Sequence, residues 1–414
     1  MVEIDKQVNS FRSNLLIFFC LLTFVSLCLS PFIPIKEGFY LRLEDLLLPF
    51  IVLSLLPEIK LLKNWYFLII FAWAGYGVLS MAINGRLGVI NDYFELYKLL
   101  KYVAFVILFY TVFKMNVAYY TPIVIVFLVL ILFNIFHFYN FFHFNELVMP
   151  KFATNALQLS TFGLDSLGKP TTKRIIGTMG NPNINGILFS FFAAYFMRFL
   201  SSAKWHWGKI YFFLAIALIL LTQARTSMLA IGIALTVYVF LSKLSWQTIL
   251  KICAGIVIVV FVVKLMDQYS LGYVTNAKLN LAENSSLKGR FEIWTELWSM
   301  IKEKPIFGYG INKNYFYAHH LYSENEYVLI VWRFGIIGLL FYLAMLFAPL
   351  RYLRNSNVLN SEKSRFFILI LIVYAINALT NNPLSDPVLQ VLFAIAVANY
   401  LSQFDLYEKK IEQA

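Results

Sequence analysis

Cysteine is scarce in this chain. The three residues, Cys20, Cys28 and Cys253, each lie inside an apolar run. No disulfide framework or metal site follows from that spacing, and they read as small core residues. Charge is scarce too, at 14% of residues against 60% hydrophobic, whereas a soluble domain is about a quarter charged. That excludes an ordinary soluble globule and leaves a polytopic membrane protein of all-α class. The formal net charge of +12 is no nucleic-acid footprint, because the basic residues are scattered between apolar runs rather than gathered on one face. The sequence has no Gly-rich phosphate loop of the Walker type, no Asp-x-Asp pair, no internal repeat and no heptad run. Neither a nucleotide nor a metal or other cofactor is therefore expected. A cleavable leader is not expected either. The first apolar run, Leu15 to Pro31, follows Lys6 and Arg12, lacks a small-residue cleavage site and leads at once into another span.

What is present is hydrocarbon-length helix. A span needs about 20 mostly apolar residues, and about twelve segments qualify or nearly do. They are 14–34, 43–57, 65–84, 97–115, 118–140, 182–200, 208–224, 226–243, 246–266, 327–349, 366–382 and 387–403. Lys and Arg collect in alternate short loops, for instance Lys60 and Lys63, Lys204 and Lys209, Arg351 and Arg354. Loops on the other side hold far fewer, notably Lys36, Arg42, Arg86 and Arg225. The positive-inside rule then predicts both termini in the cytoplasm and puts two long loops, 141–181 and 267–326, together on the outer face.

The second long loop holds most of the clustered chemistry. Between Phe291 and Ile301 the residues Phe291, Trp294, Leu297, Trp298 and Ile301 recur at three- and four-residue spacing, which is one face of an amphipathic helix. Such a helix would lie along the membrane surface. Pro305 stops it, and Gly308 and Gly310 allow a turn before His319 and His320.

Three ordered groups carry a resemblance. The first loop ends Lys173-Arg174-Ile175-Ile176-Gly177 through Asn181-Pro182-Asn183-Ile184-Asn185-Gly186, and Thr222-Gln223-Ala224-Arg225-Thr226-Ser227 links two spans. The second loop gives Gly289-Arg290 with Trp294, then Pro305 to Gly310, then Asn325-Glu326-Tyr327 before Gly335-Ile336-Ile337-Gly338. In this order, over about the second half of the chain, the series resembles the O-antigen polymerase and O-antigen ligase superfamily of bacterial envelopes. The resemblance implies a metal-independent, membrane-embedded glycosyltransferase with a GT-C-like architecture in the inner membrane. Its substrate would be an oligosaccharide on undecaprenyl pyrophosphate, passed to a sugar hydroxyl at the periplasmic face. A chain-length regulator and a flippase are the partners such a role implies. Family arginines that hold the donor pyrophosphate fall on Arg174, Arg225 and Arg290. Where members commonly carry His before the Asn of Asn-x-Tyr, this chain has Glu324, with His319 and His320 just upstream.

Each of these residues also has a plain reading. Arg225, between two spans, either snorkels to headgroups or holds an anion. Arg290 binds pyrophosphate or makes a salt bridge, and Arg174 is a phosphate ligand or a surface charge. Guanidinium forks match phosphate oxygens bidentately, which suits a leaving group stabilised without metal. Glu324, His320 and His319 compete as catalytic base, while Glu324 and Glu326 also suit a helix N-terminus. Asn325 is a cap or an acceptor-orienting amide. Asn181 and Asn183 are a turn and helix start or part of a substrate site. Arg333, on the face of Glu326 one repeat later, is expected to pair with Glu326 or with phosphate. Asn377, Asn381, Asn382 and Asp386 gather where the last two spans meet outside.

Three functions fit: a repeat-unit polymerase, a ligase with lipid A-core as acceptor, and a transporter or flippase for the same lipid-linked sugar. A transporter should show related halves and Gly- or Pro-broken helices. The sequence suggests neither, and the Glu at the His position favours polymerase over ligase.

Overall fold

A computed structural model describes residues 2–36, 39–117, 119–153, 174–202, 204–266, 285–319, 321, 323–354 and 360–404. His320 and much of both long loops lie outside the described residues. The first helices are α1 (Val2–Leu29), α2 (Leu43–Ser54), α3 (Trp65–Ile83), α4 (Ile90–Lys114), α5 (Tyr120–Tyr139) and the short α6 (Phe144–Leu147). Next come α7 (Pro182–Met197), α8 (Trp207–Thr222), α9 (Arg225–Leu241) and α10 (Trp246–Met266). The polar stretch gives α11 (Ser285–Glu303) and α12 (Lys313–His319), followed by α13 (Glu326–Phe347), α14 (Glu362–Asn377) and α15 (Pro387–Leu401).

Helices stand at every apolar segment named above. Among the described residues, 6 are long and apolar enough to cross a membrane, and several others are shorter. One departure from an all-helical chain is a small antiparallel hairpin between α1 and α2, Ile33–Lys36 against Phe39–Leu41. Cys20 and Cys28 are buried as expected, but Cys253 is exposed on α10. It sits on an apolar helix that turns little of its surface to the bundle, so an apolar run did not mean a core position.

The interior is built around α4 and α15, which pack along each other and are buried on nearly every side. Inside the bundle α1, α2 and α4 are tied by a charged knot. Lys101 Nζ lies 2.5 Å from Asp45 and 3.7 Å from Glu44, and Arg42 Nη2 donates to the Ser26 and Leu27 carbonyls at 3.0 Å. Glu44 and Lys101 are almost completely buried, so each charge depends on its partners.

A second correction concerns α13, which is broken at Gly335 with φ 65° and ψ −167°. The segment after α11 inserts into the break. Ile336 N–H donates to Pro305 O and Tyr309 N–H to Trp332 O, both at 2.9 Å. Tyr76 OH lies within donating distance of both Ile306 O (2.8 Å) and Phe334 O (2.9 Å), its one proton shared between them, and Ser80 Oγ donates to Phe307 O at 2.7 Å. Backbone groups freed by the broken helix thus find partners in the inserted loop, as a membrane interior demands. The signal for this was Pro305-Ile306-Phe307-Gly308-Tyr309-Gly310, where Gly308 and Gly310 take φ of 65° and 74°.

Candidate functional site

A cavity of about 260 Å³ opens where the first turns of α4 and α7, the short α12 and the α14–α15 turn converge. Its charge centre is Glu95 on α4. Lys98 Nζ lies 2.8 Å from its carboxylate, Arg333 Nη1 3.4 Å and Lys313 Nζ 4.0 Å. Three cations thus surround one carboxylate, and Glu324 and Asp386 are the other carboxylates of the lining. Burial, then the nearby Lys98 ammonium, holds the Lys313 pKa below the ordinary lysine range. The α12 that carries Lys313 is fixed to α4 by Lys313 N–H, which donates to Asp92 at 3.2 Å, and Asp92 in turn takes Arg86 at 2.7 Å.

Arg333 does not pair with Glu326, one of the two partners expected for it from the sequence. The Glu326 carboxylate is wholly buried and accepts from Leu384 N–H, Ser385 N–H, Ser385 Oγ and Tyr342 OH at 2.6–3.0 Å. It staples the α14–α15 turn to the start of α13, and it does not line the main cavity. With Glu326 occupied, Arg333 reaches across to Glu95.

Of the other sequence candidates, Glu324, Asn181 and Asn183 line the cavity. Arg290 and Glu324 form an ion pair with each other, and Glu324 lines the cavity. The pair is partly open to solvent, the Glu324 side chain being 45% exposed, so its strength is limited by screening. Arg174 forks behind Asn183: Nε donates to Thr222 O at 2.7 Å and Nη2 to Asn183 Oδ1 at 2.9 Å. Asn181 caps α7, its side chain accepting from Asn183 N–H and Ile184 N–H, and Pro182 takes the first helical position. Both asparagines line the cavity. Arg225 begins α9 and is exposed there, with its neighbours Thr226 and Ser227 bonded to Thr380 Oγ1 and Asn377 Oδ1. Asn325 caps α13 through Val328 N–H at 3.1 Å. His319 packs against Tyr315 at a tilt, with ring centroids 4.2 Å apart, and is not among the cavity lining.

At the α14–α15 turn, Asn381 and Asn382 line the cavity, and Asn382 Nδ2 donates to Ser323 O at 2.7 Å. Asp386 caps α15 through Val388 and Leu389 N–H, and burial raises its pKa. The amphipathic helix is present as α11, ending before Pro305. Leu297 and Ile301 are buried against Leu329 and Trp332, while Phe291 and Trp298 of the same stripe are exposed.

Sequence reasoning missed Glu95, Lys98 and Lys313. Their signal was charge at the ends of apolar segments, easily taken for solvated flanks. It also missed the support behind Arg174. His137 on α5 accepts from Ile176 N–H at Nε2 (3.2 Å), so its Nδ1 carries the proton to Asn145 Oδ1 at 2.6 Å. Asn185 Nδ2 donates to Asn134 Oδ1 and to Ile175 O. Gly177, at φ 51°, fits against this pair of amides, where a Cβ would meet Asn185 at 2.6 Å and Asn134 at 2.8 Å.

Residues 210–343 match a family model described as O-Antigen ligase. The matched stretch runs from α8 into α13 and takes in Arg225, Arg290, Glu324 and Arg333. It supports the O-antigen ligase and polymerase superfamily and, with the apolar helices, a multi-pass membrane protein of that glycosyltransferase-like class. A search of curated proteins returns no match.

Proposed function

We propose that this protein is a repeat-unit polysaccharide polymerase of the bacterial inner membrane. It transfers a growing glycan from undecaprenyl pyrophosphate to the next lipid-linked unit at the periplasmic face. One observation carries the reading. Arg333, Lys98 and Lys313 gather at Glu95 inside a cavity whose lining also holds Glu324, Asn183 and Asn382, and three clustered cations in a membrane protein suit an anionic substrate.

In the reaction, the acceptor hydroxyl oxygen bonds to the anomeric carbon while the bond from that carbon to the pyrophosphate oxygen breaks. The electron pair leaves with the pyrophosphate, where the cations stabilise it without metal. The hydroxyl proton goes to Glu324. In the resting site Arg290 holds that carboxylate in an ion pair. A pyrophosphate engaging Arg290 competes with Glu324 for it and leaves that carboxylate free to take the hydroxyl proton, so donor binding and general-base catalysis are coupled. Both termini lie in the cytoplasm in this scheme, and a flippase and a chain-length regulator act before and beside the enzyme.

The broken α13 does not favour transport. Transporters of broken-helix design use unwound backbone to bind substrate or ions, whereas here the inserted Pro305–Tyr309 segment already occupies those groups.

A lipopolysaccharide gel of a deletion strain tests the reading. Core carrying a single repeat unit is the expected outcome. Bare core, with glycan left on its carrier, overturns polymerase in favour of ligase, the reaction that the family description names. Within the site, Glu324→Gln should cost about 10²-fold or more in rate while donor binding persists. Normal polymer from both Glu324→Gln and Arg290→Ala sinks the site as drawn.

A further inference from the structure

A second built cavity lies at the other end of the same helices. On α7, Asn183 lines the candidate site and Tyr195 sits about 18 Å further along the axis. Tyr195 belongs to a polar cavity of about 120 Å³ lined by Arg198, Lys363 and Arg365, with Glu362 as the single carboxylate of its lining. Tyr238 on α9 lines it too, at 2% exposure, and its hydroxyl has no partner among the described residues. Arg198 Nε and Arg365 Nε are buried and equally without a partner there. Each guanidinium is otherwise anchored, Arg198 to Tyr195 OH at 2.7 Å and Arg365 to Ser242 Oγ at 3.2 Å.

An apolar cavity of about 40 Å³ adjoins it. The two share Tyr119, Tyr195, Phe366 and Asn399, and the apolar one continues to Phe24, Phe109 and Ile395. Buried donors left unmade are costly. Three of them beside a net positive lining call for an anionic acceptor, and planar guanidinium groups suit phosphate oxygens. A free phosphate fills only the polar half. The adjoining chamber suits hydrocarbon.

We infer that this end of the bundle binds one anionic phospholipid. Its phosphate is held by Arg198, Arg365 and the Tyr238 hydroxyl, and the first methylenes of one chain enter the apolar chamber. The loop charge bias places this end at the cytoplasmic leaflet, where anionic lipids attract basic groups. The headgroup then meets α7, α9, α14 and α15 at once. The opposite ends of these helices carry Asn183, Arg225, the Asn381–Asn382 turn and the Asp386 cap, so the lipid braces the scaffold of the candidate site from behind. The site itself stands without any assumption about sugar transfer.

The test titrates the purified full-length protein in detergent with phosphatidylglycerol, phosphatidylcholine and inorganic phosphate. Bound lipid is counted by native mass spectrometry and the melting temperature is followed. One retained phosphatidylglycerol and a saturable rise in melting temperature are expected, with phosphatidylcholine markedly weaker. Arg198→Gln with Arg365→Gln should weaken phosphatidylglycerol about a hundredfold, roughly tenfold for each charge-assisted hydrogen bond removed. Tyr238→Phe keeps the volume and the fold and should weaken it several-fold. Unchanged affinity in Tyr238→Phe and in the double variant overturns the site. An equal rise from inorganic phosphate overturns the lipid assignment, and an equal response to phosphatidylcholine overturns the anionic preference.

Discussion

Gly335→Ala probes the joint on which the inserted Pro305–Tyr309 segment and the Glu95 cavity both depend. The native backbone there, φ 65° and ψ −167°, lies in a region essentially reserved for glycine, and a Cβ in it costs about 1–3 kcal/mol. That Cβ would also stand 2.0 Å from Ile306 O and 2.3 Å from Ile306 C. Both are backbone atoms, so no side-chain rotation relieves the contact. The Pro305–Tyr309 segment must withdraw, which breaks the bonds from Ile336 N–H to Pro305 O and from Tyr309 N–H to Trp332 O. At about 1 kcal/mol net for each bond, the total is about 3–5 kcal/mol, a large share of a typical folding free energy. Arg333, two residues before the break, would shift away from Glu95 at the same time. The assay is the melting temperature of detergent-purified protein, paired with polymer length in cells at matched expression. Gly232→Ala is the control, because a Cβ there meets nothing within 4 Å. A marked fall in melting temperature and short or absent chains are expected for Gly335→Ala alone. Wild-type melting and full-length polymer from that variant would refute the account of the broken helix.

Lys101→Met leaves Asp45 without its cation and the buried Glu44 with Arg42 alone and should destabilise the protein by about 3–5 kcal/mol; an unchanged melting temperature would show that the knot is energetically idle. Arg174→Lys keeps the charge but cannot bridge Thr222 O and Asn183 Oδ1 together, so transfer should fall about tenfold, the worth of one charge-assisted hydrogen bond, and full activity would remove Arg174 from the site. Transfer by the purified enzyme should survive EDTA, since arginine and lysine supply the positive charge in this scheme; loss on chelation with rescue by Mg²⁺ or Mn²⁺ would reassign the leaving-group chemistry. A cysteine replacing Lys288, exposed at the start of α11, should react with an impermeant maleimide in intact spheroplasts, and labelling only after the cytosol is opened would invert the topology.

The positions of the apolar helices were legible in the sequence because hydrocarbon demands long unbroken apolar runs, and such runs are local. Local chemistry likewise announced the Asn181 and Asn325 caps, the stop at Pro305 and the left-handed glycines 308 and 310. What the chain alone did not decide is which charges meet. Arg290 paired with Glu324 across 34 residues, Arg333 with Glu95 across 238, and Glu326 turned instead to Ser385 across 59. A buried charge takes whichever partner the packing of helices delivers, and that packing is set by side-chain shape summed over the whole bundle rather than by any window of sequence. The break at Gly335 has the same origin. Glycine in an apolar helix is common and uninformative, and it became a hinge here only because Pro305–Tyr309 arrives in space to take the backbone groups that the break sets free.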